Sequence, residues 1–308
     1  MLIRNIERVL VFREVSGHVF TLEEIERDYP IAPAGTLIYY GFGETNVRHY
    51  RETGSALNAD HRLVAENLLR TLRASDEDEK TFQLVVGPTE KKPYEYVAAH
   101  MDVMRQIAVE LDVYQTQALA MGKRLIVVVR YASEMNHKES WVYAGDPRSF
   151  KASFPEVRRV FAEHAPRVLF PFSPGLRADS RYDEIAKYWP GAEHVDIIGA
   201  TWYVHGETQR AQGLANMREY FLHPFAPDKP FAVDEFGGAE GYGSGEPGSV
   251  YENNDAMLES MLHELEALQL RNVSFKYGTI FLDDGKYGVD ATLRFLSPQR
   301  RARRSPHR

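Results

Sequence analysis

The sequence has 308 residues, 44% hydrophobic and 12% aromatic, the composition of a chain with a sizeable folded core rather than a disordered one. It has no cysteine, which excludes disulfides, thiolate metal sites and cysteine nucleophiles. Net charge is −7, but the last ten residues hold five Arg and no acid. The body without them stands at −12, a poor partner for nucleic acid.

Met1 to Phe12 lacks the features of a secretory signal, and no stretch has the apolar length of a membrane span. The expected location is cytoplasmic, or secreted if a signal has been removed. Arg8 to Val15 reads as a first strand, and Thr21 to Asp28 as a helix with Thr21 and Glu24 forming a capping box. Thr36 to Phe42 is a strand ending near Gly43, Glu44 and Asn46, and Asp60 caps a helix running to about Arg73. Phe82 to Val86 is a strand closed by Gly87 and Pro88. Pro93 then starts one long helix, which Gly122 ends.

Leu125 to Val129 is an unbroken apolar run, as expected of a strand buried on both faces, and it stops abruptly before Arg130, Glu134 and Asn136. A helix with Phe150, Phe154, Val157 and Phe161 on one face follows, kinked or delayed by Pro155. Val168 to Phe172 is a strand, Tyr182 to Tyr188 a helix, Val195 to Trp202 a strand, and Leu214 to Phe221 a helix. Phe231 to Val233 is a short strand that delivers Asp234 and Glu235 to a glycine-rich loop. A helix around Leu258 to Leu268 and a strand from Val273 to Phe281 complete the pattern. About eight strand–helix alternations without a linker predict a (β/α)₈ TIM barrel over residues 1–298, followed by a basic, disordered tail over 299–308. A doubly wound sheet is the other arrangement such alternation allows.

Glu134 and Glu235 both end apolar strands, the position where parallel α/β folds mount chemistry. Their spacing of roughly three barrel units places them nearly across the mouth from each other. Two facing carboxyls are the machinery of glycoside hydrolysis; unrelated salt bridges are the bland reading of the same pair. Trp141, Tyr143, Trp202, Tyr203 and Phe281 are candidate stacking surfaces for a sugar, and His205 is the candidate functional histidine. Neither His100-Met101-Asp102 nor His194-Val195-Asp196 lies where a metal site would serve, and the glycines from Gly243 to Gly248 lie too far from their strand to cradle a dinucleotide.

Arg130-Tyr131-Ala132-Ser133-Glu134-Met135-Asn136 with Trp141 resembles the acid/base motif of glycoside hydrolase family 26, the β-mannanase family. Phe172-Ser173-Pro174, Val195 through Tyr203, Lys229 through Gly237 and Phe281-Leu282-Asp283 resemble later segments of that family in the same order. The resemblance implies a retaining barrel enzyme with Glu134 as acid/base, Glu235 as nucleophile, and Arg130 and Tyr203 as their orienting neighbours. Arg130, Asn136, Trp141, Trp202, Tyr203, His205 and Phe281 would line the substrate site, with no metal or cofactor required. Ser133 and Phe172 replace the family's usual His and Trp, so the sugar stays open among mannan, glucan and xylan. A catalytically inactive, accessory carbohydrate-binding barrel is the alternative.

Overall fold

The computed structural model describes residues 9–12, 14–15, 18–28, 33–90, 92–137, 143, 145–176, 180–205, 207–239, 263 and 275–281. Strand β1 (Val9–Phe12) leads into a small antiparallel hairpin, β2 (Glu14–Val15) and β3 (His18–Val19), and then helix α1 (Leu22–Asp28). The first half continues through β4 (Gly35–Phe42), α2 (Glu44–Thr53), α3 (Ala59–Ala74), β5 (Glu79–Pro88), α4 (Pro93–Ala99), α5 (Met101–Ala120) and β6 (Arg124–Tyr131). The second half holds α6 (Pro147–His164), β7 (Pro171–Phe172), β8 (Gly175–Leu176), α7 (Tyr182–Ala186), β9 (Ile197–Ile198), β10 (Thr201–His205), α8 (Glu207–Leu222), β11 (Phe231–Ala239) and β12 (Phe275–Phe281).

Apart from the hairpin, every strand pair among the described residues is parallel. One sheet runs β4-β5-β6; the other runs β1-β12-β11-β10-β8, with β9 joining β7 to β11. A bridge between Val128 and Leu169, with Leu169 N–H donating to Val127 O at 2.9 Å, carries the first sheet into the second. At the other side β1 lies beside β4. The result is a curled parallel sheet with helices outside it.

Strand alternation explains why these segments read as continuous apolar runs. On β4, Leu37 and Tyr39 pack with Val85 on the inner face, while Ile38, Tyr40 and Phe42 join the large cluster that includes α3 and α5. Leu10, Val128, Ile197 and Ala232, from four different strands, fill the inner face lower down. Val64, Leu68 and Leu72 of α3 are buried as their spacing predicts.

The capping box is present: Thr21 N–H donates to the Glu24 carboxylate at 2.7 Å, and Glu24 N–H returns to Thr21 Oγ1 at 3.4 Å. Helix α3 begins earlier than expected, with Asn58 rather than Asp60 as its cap, because the Asn58 side chain accepts from the N–H groups of Asp60 and His61. The predicted long helix is two, broken at His100, whose φ of −125° and ψ of 33° leave the helical region. Helix α6 starts at Pro147 and runs through Pro155 rather than starting late. The glycine-rich loop expected from Gly237 to Gly248 starts later, since β11 continues from Phe231 to Ala239. The rest of that loop, the expected helix around Leu258 to Leu268 and the Arg-rich tail lie outside the described residues, His263 apart.

Candidate active site

The site is built on the inner face at the C-terminal strand ends. On β6, Ile126, Val128 and Arg130 alternate inward, so the last of them carries a guanidinium above the apolar layer. Arg130 is fully buried. It donates to Ser173 Oγ at 3.2 Å and 3.1 Å, to Thr201 Oγ1 at 2.7 Å, and to Glu235 Oε1 in a close ion pair. Asp234 Oδ2 lies 3.7 Å from its Nε. Burial alone would lower the Arg130 pKa, but the charges of Glu235 and Asp234 outweigh it and hold the group above its ordinary value.

Strict alternation along β11 would send Asp234 and Glu235 to opposite faces. The register of β11 against β12 shifts between Val233 and Phe236, and this irregularity turns both acids toward Arg130. Asp234 also packs against Gly199, where a Cβ would stand 2.0 Å from its carboxylate oxygen. Glu235 is nearly buried and is gripped on both oxygens: Arg130 takes Oε1, and the Tyr39 hydroxyl donates to Oε2 at 2.9 Å. Burial, followed by the charge of Glu235 and more weakly that of Glu134, raises the Tyr39 pKa well above its ordinary value. Its hydroxyl therefore stays protonated and donates.

Glu134 sits on the loop after β6, half-buried, in the left-handed region at φ 56°, with Ala132 also left-handed at φ 49°. Each such non-glycine residue costs about 1–2 kcal/mol. Tertiary bonds hold the loop there: Ala132 N–H donates to Val86 O at 2.8 Å, and Glu134 N–H to Ser173 O at 2.8 Å. The Asn136 amide is a further tie, donating to Gly175 O at 2.9 Å and accepting from Gly175 N–H at 2.8 Å. Asn136 thus fastens the loop that carries Glu134.

Three placements bear on the expected lining of the site. Arg130 is fully buried and bonded to Glu235, Ser173 and Thr201. Trp202 is fully buried in the outer apolar cluster, opposite its inward neighbour Thr201, so its ring offers no open face to a sugar. Tyr143 is likewise buried, its hydroxyl bonded to Tyr131 and Ser153 at 2.7 Å each. The backbones of Tyr203 and His205 lie on β10 opposite Gly237 and Ala239, and that of Phe281 on β12 opposite Phe12. Their side chains, and Trp141 altogether, lie outside the described residues. Tyr39 was missed: within an apolar strand a tyrosine reads as core, and its one signal is that it shares the inner face with Leu37. Among the described residues no three His, Asp or Glu side chains converge as metal ligands would.

No protein-family model matches the sequence, and comparison with curated proteins gives no match. Solved structures do match. A double mutant of the Cellulomonas fimi endo-β-1,4-mannanase aligns with a TM-score of 0.64 at 13% identity, covering 96% of this chain and 71% of that one. A family 26 β-mannanase from Bacteroides ovatus aligns at 0.59 and 15% identity, covering 95% and 88%. The catalytic domain of the family 26 endo-β-1,4-mannanase of Bacillus sp. JAMB-750 aligns at 0.59 and 13%, covering 95% and 85%. The chain has the fold of the glycoside hydrolase family 26 β-mannanases.

Proposed function

We propose that this protein is a retaining β-glycoside hydrolase, a divergent member of family 26 that cleaves β-linked polysaccharide, with β-mannan as the first substrate to test. The observation that carries this reading is that one phenol, Tyr39, is bonded to Glu235 and lies within the field of Glu134. In this reading Glu235 on the inner face and Glu134 on the loop after β6 work as one pair, with Tyr39 between them as support for it. In this reading the curled sheet closes as a (β/α)₈ barrel. Strands β1, β4, β5, β6, β7 with β8, β9 with β10, β11 and β12 fill the eight positions, and β1 beside β4 supports closure.

The chemistry follows from the two environments. Glu235, with an arginine on one oxygen and a phenol on the other, is held in place for attack on an anomeric carbon. Glu134, more open and on a loop tied down by Ser173 and Gly175, delivers a proton to the glycosidic oxygen as the leaving sugar departs. Water then attacks the glycosyl-enzyme, with Glu134 taking its proton. Reducing-end release from β-mannan, β-glucan and xylan tests the proposal. We expect activity on at least one, falling about a thousand-fold or more in Glu134→Gln and Glu235→Gln. Full activity in either variant, or none in the wild type, would refute it; a wild type that binds polysaccharide without cleaving it would favour the accessory reading.

A further inference from the structure

The two oxygens of Glu235 are not equivalent. Oε1 faces Arg130, which is fully buried and locked by Ser173 and Thr201. Oε2 faces Tyr39, a partly exposed residue on the same inner face. Of Arg130 and Tyr39 only Tyr39 is partly exposed, so Oε2 is taken as the oxygen that bonds the sugar. Tyr39 itself is fixed from behind, since its carbonyl meets the His61 ring at 3.0 Å and its side chain packs on Leu37 and Val85.

Resting on the hydrolase reading above, we propose that Tyr39 is a catalytic residue of the second chemical step, releasing the sugar from Glu235. In the first step Oε2 gives an electron pair to the anomeric carbon as the bond to the leaving oxygen breaks with its own pair; Oε2 loses negative charge, so the bond from Tyr39 weakens as the ester forms. In the second step the oxygen of water bonds the anomeric carbon as the C1–Oε2 bond breaks, and the proton of that water passes to Glu134. The electron pair of the broken bond returns to Oε2, where the Tyr39 O–H again meets a full negative charge. Hydrogen bonds to charged groups are the stronger ones. The phenol therefore stabilises the departing carboxylate against the ester, but gives the attacking carboxylate no such help. Since only interactions stronger in the transition state than in the state before it speed a step, Tyr39 serves hydrolysis of the intermediate and not its formation.

The test is Tyr39→Phe on 2,4-dinitrophenyl β-mannobioside, whose leaving group departs without an acid and makes the second step limiting. We expect kcat to fall about ten-fold or more, KM to fall with it, and kcat/KM to stay within about three-fold. Intact-protein mass spectra during turnover should show the disaccharide adduct on Glu235 accumulating in the variant. Equal falls in kcat and kcat/KM, unchanged kinetics, or no added adduct would overturn the assignment while leaving the hydrolase reading intact. A variant that fails to fold would assign the phenol a structural role and equally overturn it. If the wild type turns over neither this glycoside nor any polysaccharide, the reading of function falls and this proposal with it.

Discussion

Arg130 brings a permanent charge into the interior and is tolerable there because Glu235, Asp234, Ser173 and Thr201 surround it. Removing it leaves two acids buried without their counter-charge. Arg130→Met should therefore lower stability by about 3–5 kcal/mol, measured by urea unfolding; a loss under about 1 kcal/mol would contradict this account of the ion cluster. Gly199 matters for a different reason. A methyl at that position would stand 2.0 Å from the Asp234 carboxylate, which must then move and take Arg130 with it. Gly199→Ala should lower kcat markedly by displacing Asp234 and Arg130 beside Glu235, and steady-state kinetics showing only a raised KM would refute that route. At this scale the sequence disclosed the charged residues and concealed the neutral ones. Glu134, Arg130 and Glu235 stand out at the ends of apolar runs, whereas Tyr39 hides inside one. The pair Trp202-Tyr203 shows the converse error, since adjacent strand residues point to opposite faces and cannot both line a cleft.

Helix α6 supplies the outer wall behind Glu134's strand, and its start is defined by Asp146 as N-cap with Pro147 in the first turn. Hydrogen bonds from Ser149, first from its hydroxyl and then from its N–H, lower the Asp146 pKa below its ordinary 3.8. A lowered folded-state value means the carboxylate stabilises the fold above that ordinary value. The contribution fades as pH drops through the lower, folded value. Asp146→Ala should cost about 1 kcal/mol near neutral pH, with the gap between the two proteins closing below about pH 4. A gap that persisted unchanged in acid would assign the loss to something other than the cap. Elements with strong local signals were legible: the Thr21–Glu24 box, the apolar run of β6, the faces of α3 and α6. Helix α2 was not, since Val47 is its one fully buried residue and no apolar face marks it. The break at His100 was hidden because Val97, Met101 and Met104 keep helical spacing across it.

At the scale of the molecule, β1 is the piece on which the fold's continuity turns. It pairs with β12 from Val9 opposite Gly278 to Phe12 opposite Phe281, and it lies beside β4. Deleting residues 1–20 should therefore abolish cooperative thermal unfolding followed by circular dichroism; a truncated protein melting as the wild type does would show that the strand is dispensable. The alternation of strand and helix was readable because strands such as β5 and β6 are buried on both faces and helices such as α3 on one. What no periodicity could disclose was the register shift in β11, which alone sets Asp234 and Glu235 on the same side.

In the proposed double displacement Glu235 bonds the sugar, and the two carboxyls of a retaining pair stand ~5–5.5 Å apart. The most direct measurement is proton nuclear magnetic resonance of β-mannan hydrolysis in its first minutes, before the new reducing ends mutarotate. Double displacement predicts that the β-anomer appears first and the α-anomer grows in only later. An α-anomer appearing first would mean single displacement by water, and Glu235 would then be a base and not a nucleophile.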